Sequence, residues 1–285
     1  MWNPLEGILL HTFQGHTNEV KDIHFNHDST LLASAGYDCM LCLWNLNTKM
    51  PIHVRCAHAN YVKSVAFDPT GLLLASAGID NTIHIWTVPN MLCKKILNEH
   101  KHCINDIQFS NSGELLASAS ADQTIKLWNP FSGTCLATLY GHEFWVKAVT
   151  FNHHDTLLAS TGDDKTIRIW NLANNQCILK LDGHVNAVTS IQFHPNDTEL
   201  ISTSIDKNVL IWSLPLSYEQ YDFTIKQAIW LLHAYQNKKS PAYPYQRAPV
   251  KLTQEKREAI TAYLAIEETI WQQYPEIMRR LKVLK

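Results

Sequence analysis

Charge is scarce in this chain of 285 residues: Asp, Glu, Lys and Arg make up 18% of it, against roughly 25% in an average soluble domain. Neither sign dominates, and the formal net charge is -2. Such a chain carries no electrostatic footprint for DNA, RNA or an anionic membrane, so nucleic acid is not expected as a main partner. Long apolar runs are missing too. None approaches the ~20 residues that a membrane helix needs, and no membrane insertion is expected. The opening MWNPLEGILLHTFQG has no basic start, long apolar core or small-residue cleavage site, which argues against a secretory signal. No glycine-rich loop leads from a strand into a helix, so a phosphate-cradling nucleotide site is not expected. The seven cysteines are odd in number and, without a secretory context, read as reduced thiols. The expectation is a soluble intracellular protein, placed in the cytoplasm with a nuclear location left open, and holding neither cofactor nor metal.

What is abundant is apolar: 46% of the residues are hydrophobic, which suits many strands covered on both faces. One stretch, GHEFWVKAVTFNHHDTLLASTGDDKTIRIWN from Gly141 to Asn171, contains His142, Ser160 and Asp164, the residue types of a nucleophilic triad. The same residues recur. His16, His58, His100, His142 and His184 stand 42 residues apart, as do Ser34 to Ser202, Asp38 to Asp206 and Trp44 to Trp212. A fixed period of this length marks a repeat architecture. Five equivalent nucleophiles serve no enzyme, so the constellation belongs to the scaffold and no catalytic residue is assigned.

Within each unit, the His is followed by three short β-compatible runs separated by Asn, Asp, Gly and Pro turns, such as VKAVTF, TLLAST and TIRIW. A looser fourth run precedes each His, beginning with ILLHTF at Ile8. Four short strands per 42 residues, with a Gly-His dyad, a Ser, a turn Asp and a closing Trp, resemble the WD-repeat family. That resemblance covers roughly residues 8 to 215 and implies four-stranded blades around a central channel. It also implies a hydrogen-bonded tetrad in each blade, with Trp170 donating to Ser160, Ser160 to His142 and His142 to Asp164. The chain departs from the family name, since WN, WT, WN, WN and WS follow the Trp positions and no unit has Asp there.

The expected fold class is all-β: a five-bladed propeller over residues 8–215 preceded by an N-terminal segment, 1–7. After Trp212 the sequence SLPLSYEQ offers no fourth strand, so ILLHTF is expected to complete the last blade and close the ring, with a larger ring shared by two chains as the alternative. Residues 216–285 read as a small α-helical extension, with apolar residues at helical spacing on both sides of a proline-rich connector at 240–249.

In WD-repeat proteins the residues just after the His and just before the turn Asp surround the channel. Here they vary from unit to unit. Tyr37, Tyr61, Ile79, Phe144, Trp145 and Asp163 are therefore the candidate partner-binding residues, because surface aromatics commonly anchor protein interfaces. His153-His154 is weighed as a metal pair and read as a solvated turn, since no third ligand is near in sequence. Cys93, Cys135 and Cys177 share the period and read as small hydrophobes opening each fourth strand. The expected function is a non-catalytic protein-protein interaction scaffold that offers this varied face to a protein or peptide, with the helical tail as a second contact. Alternatives are a substrate-recruiting adaptor of a ubiquitin ligase or a small-ligand-binding propeller.

Overall fold

In each unit the turn Asp is followed by a residue with left-handed backbone, Cys39, Asn81, Gln123, Lys165 and Lys207, with φ between 64° and 71°. Positive φ is the conformation that reverses a chain tightly into a hairpin. Together with the other turns of each unit, several of which also contain a left-handed residue, these five fold the chain into successive antiparallel meanders. The structure, a computed structural model, describes residues 1–3 and 5–214. The helices and connector expected in residues 216–285 lie outside the described residues.

After a short N-terminal pair, β1 (Trp2–Asn3) and β2 (Ile8–Leu9), blade I comprises β3 (Val20–Phe25), β4 (Leu31–Gly36), β5 (Met40–Asn45) and β6 (Met50–Cys56). Blade II comprises β7 (Val62–Phe67), β8 (Leu73–Gly78), β9 (Ile83–Thr87) and β10 (Leu92–Leu97). Blade III comprises β11 (Ile104–Phe109), β12 (Leu116–Ser120), β13 (Thr124–Trp128) and β14 (Cys135–Tyr140). Blade IV comprises β15 (Val146–Phe151), β16 (Leu157–Gly162), β17 (Thr166–Asn171) and β18 (Gln176–Asp182). Blade V has three strands, β19 (Val188–Phe193), β20 (Glu199–Ser204) and β21 (Val209–Ser213). Among the described residues there is no helix, hence none able to cross a membrane.

Consecutive blades stack through their first strands, β3 on β7, β7 on β11, β11 on β15 and β15 on β19. The core is correspondingly divided into layers between blades. Ala33, Ala35, Leu41 and Leu43 of blade I bury against Val62, Val65 and Phe67 of blade II, and the same arrangement recurs at the next three junctions. The second strand of each inner blade is covered on both faces and therefore reads as a continuous run, LLASAG or LLASTG, rather than an alternation.

Every first strand contains the same β-bulge, between Val20 and Asp22, Val62 and Ser64, Ile104 and Asp106, Val146 and Ala148, and Val188 and Ser190. A bulge leaves one residue outside the ladder and re-aims its side chain. That residue is Lys21, Lys63, Asn105, Lys147 or Thr189.

One expectation is corrected. Ile8–Leu9 does not complete blade V: it pairs with Trp2–Asn3, and β21 carries no outer strand among the described residues. A local turn explains the preference. Gly7, at φ 65°, donates its amide to the Asn3 carbonyl, while the Asn3 side chain accepts from Leu5 and donates to Glu6. Closing so short a loop costs far less chain entropy than joining segments some 200 residues apart. Phe13 nevertheless packs on Trp44, with ring centroids 5.3 Å apart, as Leu97 packs with Trp128 one blade pair further on.

Candidate functional site

The repeated side chains meet in the interior of each blade. In blade IV, Trp170 Nε1 donates to Ser160 Oγ over 2.8 Å, Ser160 Oγ is 2.8 Å from His142 Nε2, and His142 Nδ1 is 2.7 Å from Asp164 Oδ2. The other four blades repeat these links, with Trp-to-Ser distances of 2.8 to 2.9 Å and Ser-to-His distances of 2.6 to 2.8 Å. An indole can only donate and a carboxylate only accept. The proton order is therefore set from both ends: the Ser hydroxyl donates to Nε2, and Nδ1 donates to the Asp.

Asp164 does more than orient the imidazole. Its Oδ2 also accepts the Glu143 amide, and its Oδ1 accepts both the amide and the hydroxyl of Thr166. Burial opposes ionisation of this carboxyl, but these hydrogen bonds and His142 outweigh it and hold the pKa well below the ordinary carboxylate value. Asp80 and Asp122 behave alike. Asp38 is also lowered, and Asp206 is brought down to about 2. Each tetrad thus ties the loop before the first strand to the turn after the second. Ser160 is fully buried, with its oxygen shared between an indole and an imidazole. The arrangement works as a strut.

The struts hold a face built from those same loops and turns. Tyr37 donates its amide to Glu19, Ile79 to Tyr61, and Asp163 to Trp145, so the two variable segments of each blade meet side by side. Gly162 allows that approach in blade IV: a Cβ there would lie 2.9 Å from His142 Nδ1 and 3.0 Å from the Trp145 carbonyl.

The candidate residues fall into two groups on this face. Tyr37 and Tyr61, from neighbouring blades, stack with centroids 4.6 Å apart. Lys21 lies 4.8 Å over the Tyr37 ring, and Ile79 sits half-buried at the adjoining turn. Trp145 leans on His102, centroids 5.9 Å apart. Lys147 lies 5.0 Å over the Trp145 ring and 3.2 Å from Asp163 Oδ2. Tyr61, Phe144 and Trp145 are exposed. Phe144 lies beside Trp145 in the chain and has no aromatic partner among the described residues.

Sequence reasoning passed over the lysines. Lys21, Lys63 and Lys147 occupy bulge positions in three first strands. Their signal was the recurring Val-Lys at the 42-residue period, legible only if the bulge is anticipated. Burial lowers the Lys63 pKa, and Lys147 and Lys21 push it further down, against Cys103 and Asp163. Lys63 Nζ donates to Asn105 Oδ1. The face therefore combines clustered cations with exposed aromatic rings.

Against this geometry, the family model for "WD domain, G-beta repeat" matches residues 7–45, 49–87, 91–129, 133–171 and 175–213. The chain belongs to the WD-repeat family. A comparison with curated proteins finds no match. WD-repeat domains are generally protein-interaction scaffolds, bind protein partners and are typically non-enzymatic.

Other candidates resolve into WD-blade structure. His154 Nδ1 lies 2.8 Å from Asp197 Oδ2 and helps clasp blade V to blade IV. His58, Asp80 and His84 approach one another, but both ring nitrogens of His58 are committed to the tetrad. His84 stacks on His58 at 4.2 Å, and burial and the neighbouring His58 bring its pKa down to about 4. The expectation for the periodic cysteines needs correction. Cys93 and Cys177 are exposed and Cys135 is half-buried. Each pairs across from a tetrad Trp at an irregularity in the ladder, and its thiol reaches the carbonyl two residues on, at 3.4 to 3.6 Å. All three stand at a bulge; Cys135 also packs against the core between blades II and III, as a small hydrophobe would, whereas Cys93 and Cys177 are exposed.

Proposed function

We propose that the protein is a non-catalytic scaffold that captures a protein partner on the face formed by Tyr37, Tyr61, Ile79, Phe144, Trp145 and Asp163. The observation that carries this reading is the division of labour within each blade: residues that repeat are buried in struts, whereas residues that differ between copies are the ones presented. Exposed Tyr and Trp provide large rigid contact areas at small entropic cost, as interface anchors do. Lys21 and Lys147 each lie over an aromatic ring and beside a carboxylate, Glu19 and Asp163 respectively. The partner that fits is a peptide segment carrying apolar side chains. Five unlike loop sets speak against five equal small-ligand pockets, one per blade.

Affinity capture from a native lysate with wild type and a Phe144→Ser/Trp145→Ser variant tests the reading. A specific protein retained by the wild type and lost by the folded variant is the expected outcome. Equal retention by both would overturn this placement of the site.

A further inference from the structure

Four blade junctions are built to one pattern, and the two faces that would make a fifth are both present but apart. At each junction a Val or Ile, then another, then a Phe of one blade's first strand enters the aliphatic face of the blade before it. Phe67 is 4% exposed there, and its receiving residue Leu43 is 0% exposed. The corresponding leading face of blade I is Val20, Ile23 and Phe25, with Phe25 47% exposed. The corresponding receiving face of blade V is Ile201, Val209 and Ile211, with Ile211 66% exposed. These positions lie four repeats from Ala33, Leu41 and Leu43. The leading face also lines a groove of about 470 Å³, together with Trp2, Leu9 and Phe13.

Polar groups follow the same register. Ser64 Oγ accepts the Ile107 amide across one junction, and Gln108 Oε1 accepts the Phe151 amide across another. Blade V carries Ser190 and Gln192 at these positions, both exposed, and their counterparts across a fifth junction are Ile23 and Phe25.

The geometry points to head-to-tail association: the leading face of blade I docks on the receiving face of blade V in a second copy of the chain. Continuity with the four existing junctions identifies the occupant. A blade carrying the same repeat matches these faces position for position, and a second copy offers both halves in matching register. Exposed apolar faces of this kind mark association surfaces. The contact is heterologous, so copies add end to end until the rotation closes a ring or a filament forms.

Multi-angle light scattering on the full chain over a range of concentrations tests this, using Phe25→Asp and Ile211→Asp. Both side chains are exposed in one copy, so each variant folds, as circular dichroism checks. The wild type is expected to gain mass with concentration in whole-chain steps, and each variant alone to remain a monomer. An equimolar mixture of the two retains one intact head and one intact tail. It is expected to form a dimer and nothing larger. A monomeric wild type would overturn the proposal, because the faces are then covered within one chain. Equally contrary would be a mixture that stays monomeric, or variants that associate as the wild type does.

Discussion

Ser160 and Trp145 belong to the same blade, yet one is identical in all five units and buried, whereas the other occurs once and is exposed. The difference shows how one repeated scaffold acquires an individual surface. The tetrad fixes where the loops go, and in blade IV its Ser160, His142 and Trp170 are buried away from any partner. Exposed loop positions are then free to vary, because replacing them disturbs no buried hydrogen bond. Interior and loop substitutions should accordingly separate into two classes.

The largest effect is expected inside. Trp170→Ala removes a fully buried ring and the donor to Ser160, and should cost about 3 to 5 kcal/mol in chemical denaturation. Trp212→Ala in blade V, where the ring is only part-buried, should cost less; equal losses would break the distinction between an inner blade and an end blade. Next comes Asp164→Ala, which orphans the imidazole and three further donors and should cost on the order of 1 to 3 kcal/mol. An unchanged melting curve would mean that the strut carries no load.

A pH titration sharpens the same contrast. The tetrad carboxyls are depressed below their ordinary value of 3.8, so the native state resists protonation longer than the unfolded chain. Their contribution is complete above that value and is lost as pH falls through the folded pKa values, about 2 for Asp206. From these carboxyls, thermal melts should fall as pH drops from near 4 towards 2.

An effect of opposite sign belongs to Asp106, which accepts from Ser64 and Val149. Burial, with help from Asp22 and against these hydrogen bonds, pushes its carboxyl up to about 7. Here the folded state holds the proton longer, so stability is lost as pH rises from about 4 to about 7. Asp106→Asn should remove that loss, and melts at pH 5 and pH 8 should differ less than in the wild type.

Much of the interior was legible beforehand because its signal is repetition. Four residue types at one spacing identify the blade, and the donor and acceptor capacities of Trp, Ser, His and Asp set their order. The Tyr37 and Trp145 neighbourhoods were found as positions, but their pairing was not. The stacking of Tyr37 on Tyr61 depends on how adjacent blades abut, and sequence spacing carries no such information. The lysines were hidden by a bulge, which shifts register without leaving a residue signature. The end of the propeller misled for a related reason: of the expected strand ILLHTF only Ile8–Leu9 forms one, and a local turn pairs it with Trp2–Asn3.

The most direct test of the account compares Asp164→Ala with Phe144→Ser/Trp145→Ser in one experiment, measuring the melting temperature and partner recovery of each well below its melt. The account predicts that Asp164→Ala melts earlier and keeps the partner, while the loop variant melts within about 0.5 kcal/mol of wild type and loses it. A loop variant that is destabilised and still binds, or a folded Asp164→Ala that loses the partner, would contradict it.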